Sequence, residues 1–376
     1  MKHRKPGRKP NIAIGVAAAT GLALSAIMLS ALLHAGAAPS TPMKIGKTVE
    51  TFEQNITDLL STELGGNAKN VHRTLVLRDS DLIAPEPNPD CFGTASSPTE
   101  LAAVLKAAED ALDIQSPLFT TDTPIKKGTQ IQYYLDDTIF AVTWKQSVNG
   151  CTYTFSEVKI AHASQIRRFF SEGNYNSGIL HTTTEMASSV NAVTASAGDY
   201  YSYRHFGIVV NDGVVYRANG ELLDTCYIDR NGDLLFTYAR EIDGTKEVQQ
   251  FVDDNDIRFS LSFGPVMLHD GFNMVPFYYN SGEINHNYPR AALCQMDKLH
   301  YVLVCANHEA PDYQLPTIPQ FAEALSQMGI PTAYALDGGQ TASIVFNDQL
   351  INTVSYGAQR EISDILYFAT AADAEQ

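Results

Sequence analysis

The residues of this 376-residue chain best suited to chemistry by type and spacing lie in AYALDGGQTASIVFND, residues 333–348. A β-friendly run ends in Asp337-Gly338-Gly339, Gln340-Thr341 follow, and a second apolar run begins. Two consecutive glycines let a backbone take positive φ and come close to a ligand. Successive N–H groups in such a turn form an anion-binding nest. The Thr341 hydroxyl is a further donor, and Asp337 places an acid at the edge. The same triplet also serves as a plain tight turn between strands. No lysine follows the glycines where a Walker A loop needs one.

The elements that must position this loop are legible on either side of it. Thr332 to Leu336 reads as a strand emerging from a helix that starts at Thr317 and buries Ile318, Phe321, Ala322, Leu325 and Met328 before Gly329 ends it. From about Ile131 short β-rich segments recur: TIFAVTW, CTYTFSEVKI, FGIVV, GVVYR, LLFTYA, IRFSLSF, AALCQM and LHYVLVC. Asn211-Asp212-Gly213 and Asn231-Gly232 are turns between them. Strands with interspersed helices and no regular βαβ rhythm predict an α+β domain with a mixed sheet over 131–370. Ile166-Arg167-Arg168-Phe169 reads as a helix with a solvated basic face, from which one arginine could reach a substrate. Trp144, the single tryptophan, reads as core. Asp229-Arg230-Asn231-Gly232-Asp233 resembles the opening of a calcium loop but has Arg240 at the twelfth place, where a bidentate acid is needed, so it reads as a hairpin turn.

Upstream, Ser97-Pro98-Thr99-Glu100 forms a capping box ahead of a helix with Leu101, Val104, Leu105, Ala108 and Leu112 on one face. Proline-rich residues 80–98 read as loop, and Pro117 to Thr129 as linker. Val49, Phe52, Ile56, Leu59, Leu60 and Leu64 have helical spacing, so 35–130 is expected to be a helical juxtamembrane region and linker. Residues 2–9 carry five bases and no acid, and 12–33 are uncharged and mostly apolar over 22 residues. That pattern predicts a cytoplasmic tail over 1–11 and a signal-anchor helix over 12–34, with the rest outside the cytoplasm. Ala35-Gly36-Ala37 supports the alternative of a cleaved signal peptide and secretion.

Composition narrows the partners. The 44% hydrophobic and 18% charged content suits a globular protein with a sizeable core. Setting aside residues 1–35 leaves 21 bases against 42 acids, which excludes nucleic acid as the main partner because binding it needs a basic face. Five widely spaced cysteines contain no CxxC and exclude a structural zinc pattern, leaving either one or two disulfides or buried thiols.

Several segments together resemble the phosphodiester glycosidase family. They are Gly198-Asp199-Tyr200-Tyr201, Phe263-Gly264-Pro265, Pro289-Arg290, Leu336-Asp337-Gly338-Gly339, and Arg360 ahead of Ser363-Asp364. The family is associated with uncovering mannose 6-phosphate and, in bacteria, with exopolysaccharide. The resemblance covers 131–370 and implies hydrolysis of a sugar-1-phosphodiester in a surface polysaccharide or glycan. It implies Arg290 and Arg360 as forks for phosphate, aided by the backbone of Gly338, Gly339, Gln340 and Thr341. Asp337 and Asp199, with Glu283 third, are the implied carboxylates that orient or deprotonate water. Arg204 and Tyr200 follow as pocket residues, the tyrosine stacking on a sugar or packing in the core.

The chain departs from the family pattern at Ala197, Ala335, Gln340 and, above all, Asn307-His308-Glu309, which stand where the family has Asp-Gly-Arg. An anion in place of a phosphate-facing cation changes a close pair interaction by several kcal/mol, roughly 4 kcal/mol per unit-charge pair at 4 Å and an effective dielectric of 20. Three readings stay open: an enzyme of altered specificity in which Glu309 or His308 takes an acid/base role, a glycan- or phosphoglycan-binding descendant, and an envelope protein with a vestigial pocket. No metal motif or cofactor site is visible, and a divalent ion bridging carboxylate and phosphate stays open.

Overall fold

The computed structural model describes residues 83–199, 201–280, 283–307 and 314–372. The expected anchor at 12–34, the helix at 47–64, Tyr200, His308 and Glu309 lie outside the described residues. No helix among the described residues is long and apolar enough to cross a membrane.

The chain begins with strand β1 (Phe92–Ala95), helix α1 (Pro98–Leu112), and strands β2 (Ile131–Leu135), β3 (Ile139–Val148) and β4 (Cys151–Ile160). The Ser97 hydroxyl accepts the Glu100 N–H at 3.2 Å and caps α1, while the Glu100 carboxylate takes the Ser96 N–H at 2.8 Å. Next come β5 (Ile166–Phe170), α2 (Thr183–Ser189), β6 (Thr194–Ala197), β7 (Gly207–Asn211), β8 (Val214–Asn219), β9 (Thr225–Asp229), β10 (Leu234–Thr237), α3 (Thr245–Asp254) and β11 (Ile257–Leu261). The chain ends with β12 (Val266–His269), β13 (Phe272–Asn273), β14 (Arg290–Asp297), β15 (His300–Asn307), α4 (Ile318–Gln327), β16 (Thr332–Leu336), β17 (Ile344–Phe346), β18 (Gln349–Leu350) and β19 (Asp364–Phe368). Helix α4 starts at a reciprocal capping box between Thr317 and Gln320.

A nine-stranded sheet runs β1-β2-β3-β4-β15-β14-β16-β12-β13, and two five-stranded sheets run β10-β9-β11-β7-β8 and β18-β17-β6-β19-β5. The large sheet is buried on both faces, which explains why its strands read as apolar runs. In β15, Val302, Val304 and Ala306 join the core beneath α1 and α4. Tyr301, Leu303 and Cys305 join the core shared with the small sheets through Ile228, Phe259, Ile344, Leu366 and Phe368. The outer face of the β10-β9-β11-β7-β8 sheet packs on α3, and that of the β18-β17-β6-β19-β5 sheet packs on α2. Each fully buried Leu, Ile or Phe contributes about 1.5–3 kcal/mol, so this alternation fixes the register.

The structure corrects some expectations and bears out others. Every ladder among the described strands is antiparallel, not mixed, because hairpins and long returns bring each strand back alongside its neighbour. Arg167 and Arg168 lie on strand β5, and both are buried. Residues 92–95 form an edge strand on β2, and α1 shares the main core through Leu101, Ala108 and Leu112, so this part of the 35–130 region is built into the domain. All five cysteines are free thiols, and four are buried. The Asp229 turn closes on itself: Asp229 Oδ1 accepts the N–H groups of Asn231 and Asp233 at 2.8 Å each.

Candidate active site

The three sheets meet where β16, β6, β11 and β19 end or begin, and Asp337 stands one residue beyond β16. Its carboxyl is almost wholly surrounded by protein, while the residue as a whole is half-buried. Burial pushes its pKa up to about 6; the Thr341 hydroxyl bond and the nearby charges of Arg204 and Arg360 restrain the rise, and Asp199 adds to it.

Beneath it lies a buried knot of charge. Arg168 donates through Nε to Asp364 at 2.8 Å and pairs through Nη2 with Asp199 at 3.2 Å, and all three side chains are inaccessible. Its Nη1 reaches the Ser260 carbonyl of β11. The guanidinium also lies 4.8 Å from the Phe170 ring centroid and 5.4 Å from that of Tyr201. Burial pushes the Asp364 carboxyl up to about 7, with Arg168 opposing and Asp199 reinforcing the shift. One Asp364 oxygen, Oδ1, has no hydrogen-bond partner among the described residues. Gly198 is required here because a Cβ at that position would collide with the Asp364 carboxylate.

Asp199, expected as a reacting carboxylate, is fully committed instead. Oδ1 accepts the Tyr201 N–H at 2.7 Å, and Oδ2 accepts the Ser262 N–H at 2.8 Å while facing Arg168. It is a positioning residue that ties β6 to β11. Arg290, expected to grip phosphate, gives Nε to the Pro316 carbonyl at 3.3 Å and Nη2 to the carbonyls of Glu283 and His286 at 2.9 and 2.6 Å. Burial lowers its pKa to about 10. Glu283 is exposed, and a Tyr288 hydroxyl bond lowers its pKa, followed by His286. Asn307 is buried, with its amide between Ala342 and Asn352 at 3.3 and 2.9 Å.

The glycine turn divides its tasks. Gly339 has φ +64° and gives its N–H to the Pro289 carbonyl at 2.9 Å. Gly338 is extended at φ −107°, and a Cβ there would stand 2.6 Å from the Pro289 carbonyl oxygen. The Thr341 N–H is bonded to the Gly338 carbonyl at 3.2 Å, so two N–H groups of the expected nest are spent within the protein. Gln340 bonds the Ala358 carbonyl at 3.1 Å and holds the 355–360 turn alongside.

The cations next to Asp337 are therefore Arg204 and Arg360. Arg204 reaches the Ser262 carbonyl and lines an open cavity of about 360 Å³ with His205, Arg217, Tyr175 and Tyr201. Tyr175 and Tyr201 stack there with centroids 5.0 Å apart. Arg360 is exposed, 5.0 Å from the Tyr203 ring centroid. The sequence reading assigned no role to Asp364, Tyr288 or Tyr356, and weighed Arg168 chiefly as a surface residue; the Ser363-Asp364 pair following Arg360 was the available signal. Among the described residues, no group of three or more His, Cys, Asp or Glu is placed to hold a metal ion.

Residues 189–369 match the family model described as phosphodiester glycosidase. Among solved structures, the catalytic domain of zebrafish N-acetylglucosamine-1-phosphodiester alpha-N-acetylglucosaminidase, auto-inhibited by pro-peptide, is similar in fold, with 16% identity, a TM-score of 0.51, and coverage of 77% of this chain and 98% of that one. A hypothetical protein from Synechocystis matches at 12% identity and a TM-score of 0.44, covering 66% of this chain and 64% of that chain. No curated protein matches.

Proposed function

We propose that the divergent phosphodiester glycosidase domain carried over residues 189–369 of this chain hydrolyses a sugar-1-phosphodiester, freeing the sugar and leaving a phosphomonoester. The observation that carries this reading is Asp337, a buried carboxyl on a half-buried residue, raised to a pKa of about 6 and acted on by the charges of Arg204 and Arg360. A phosphate leaving group is a weak base, so the reaction needs a cradle for departing charge more than a proton donor. Arg204 and Arg360 supply that cradle. The Asp337 carboxylate takes a proton from water as its oxygen bonds to the anomeric carbon, and the bond from that carbon to the ester oxygen breaks with its electron pair leaving on phosphate. Arg168, Asp199 and Asp364 act from beneath by fixing the strand ends that aim these groups.

The basic residues at 2–9 and the uncharged run at 12–33 support a place for this reaction outside the cytoplasm, with residues 12–34 as the anchor and a surface carbohydrate or phosphoglycan as the partner.

The test is turnover of methyl phosphodiesters of N-acetylglucosamine-, glucose-, galactose- and mannose-1-phosphate by the full-length chain, scored as free sugar and methyl phosphate. Activity is expected to rise with pH through about 6 as Asp337 ionises. Asp337→Asn should lower kcat by roughly 10²–10⁴-fold and remove that limb. Unchanged turnover in Asp337→Asn would remove the residue from the mechanism. Absence of turnover, with diester-dependent thermal stabilisation that Arg204→Ala abolishes, would replace the enzyme with a binding protein.

A further inference from the structure

Three turns converge around Asp337, and each lifts a tyrosine into solvent. Gly339 bonds the carbonyl of Pro289, one residue after Tyr288, and Gln340 bonds the carbonyl of Ala358, two residues after Tyr356. Tyr203 lies against Arg360. The Tyr288 pKa is raised, by its hydrogen bond with Glu283 first and by the nearby Tyr356 phenol least.

Tyr356 is 92% exposed and has φ +62°, followed by Gly357 at φ +71°. A left-handed backbone is sterically unfavourable for a residue that carries a Cβ. Its ring buries almost nothing, so packing within the chain does not offset that cost. Such strain is characteristic of residues whose contacts lie with a ligand. Tyr288 and Tyr203 are partly exposed and backed by guanidiniums, Arg290 at 5.6 Å and Arg360 at 5.0 Å from the ring centroids. Stacking of this kind fixes a ring as a platform and leaves the opposite face open.

We infer that Tyr288 and Tyr356 form a stacking rim for pyranose rings beyond the scissile bond, so that the ligand of this site is a phosphate-bearing oligo- or polysaccharide chain and not a small sugar phosphodiester alone. This rests on the proposed function for its phosphodiester, but the rim itself is read from exposure, strain and position. Tyrosine presents a π face to the C–H face of a sugar and a hydroxyl to its ring hydroxyls. A lipid surface is the poorer fit, because the rim carries Glu283 rather than lysines and the whole chain has a net charge of −16.

The test is native affinity electrophoresis of the full-length chain, in an Asp337→Asn background that preserves the probe, through gels containing yeast phosphomannan. Retardation is expected, with an apparent Kd at least ~10-fold weaker in Tyr288→Ala/Tyr356→Ala and largely kept in Tyr288→Phe/Tyr356→Phe. Equal retardation of the alanine and parent proteins would overturn the rim. So would failure of the parent protein to be retarded by phosphomannan, or a loss confined to sedimentation with phosphatidylglycerol vesicles. Retardation by a protein that cleaves no small diester would retain the rim and reject the hydrolase. Cleavage without retardation would do the reverse.

Discussion

Arg168→Ala will destabilise the folded chain by roughly 3–5 kcal/mol, the usual cost of removing one partner from a buried ionic cluster. In a domain of this size that lowers Tm by on the order of 10 °C. The loss arises because Asp199 and Asp364 would then face each other with no cation between them, at the point where β5, β6, β11 and β19 meet. It should depend on pH. The Asp364 carboxyl already sits near 7, above its unfolded value of 3.8, so the folded state holds its proton more tightly and this contribution to stability falls as pH rises from about 4 to about 7. Without Arg168 the proton is held more tightly still. The deficit should therefore be largest at pH 8 and shrink by pH 5, where Asp364 is neutral. Thermal unfolding at the two pH values decides it: an equal deficit at both, or one below 1 kcal/mol, would show that the cluster does not clamp the sheets. Arg168→Met combined with Asp199→Asn and Asp364→Asn should recover part of the loss, because it removes the charges together.

Gly338→Ala is expected to reduce turnover by about 10²-fold, while Gly339→Ala costs about 1–2 kcal/mol of stability and much less turnover. The ordering runs against backbone conformation. Gly338 is extended at φ −107°, which alanine adopts freely, whereas Gly339 is left-handed at φ +64°. Space decides instead. A Cβ on Gly338 would stand 2.6 Å from the Pro289 carbonyl oxygen, while a Cβ on Gly339 meets nothing within 4 Å. Pro289 has little room to retreat, since its carbonyl holds the Gly339 N–H and its neighbour Arg290 is tied to three carbonyls. The turn must move, taking Asp337 with it. Measuring kcat/KM beside Tm for both variants separates the effects, and a greater turnover loss in Gly339→Ala would overturn the argument.

Much of the framework was legible in the sequence. The strands 151–160 and 332–336 were read with the bounds they have, because β-branched and aromatic residues crowd each segment and turn residues flank it. Helix α4 was legible from Thr317 and the spacing of Ile318, Phe321 and Leu325. Asp337 was legible as the acid at a strand end. Strand β5 was not, because Ile166, Phe169 and Phe170 also fit the i, i+3, i+4 pattern of a helix. Only tertiary pairing could supply the partners that let two adjacent arginines be buried, Tyr367 for Arg167 and Asp199 with Asp364 for Arg168. Arg290 was recognised as important, but its bonds to the carbonyls of Glu283, His286 and Pro316 were not foreseen, since no local pattern reveals the path of that loop.

The division between the buried charge cluster and the exposed tyrosines bears on inheritance. Arg168, Asp199, Asp364, Gly198 and Gly338 are constrained by contacts under 4 Å with one another or with backbone, so changing any of them disturbs folding. Tyr288, Tyr356 and Tyr203 lie on turns outside every ladder, with side chains that add little to the core. Descendants of such a scaffold can exchange those turns, and so alter what the exposed rings can contact, without revisiting the solution to the folding problem.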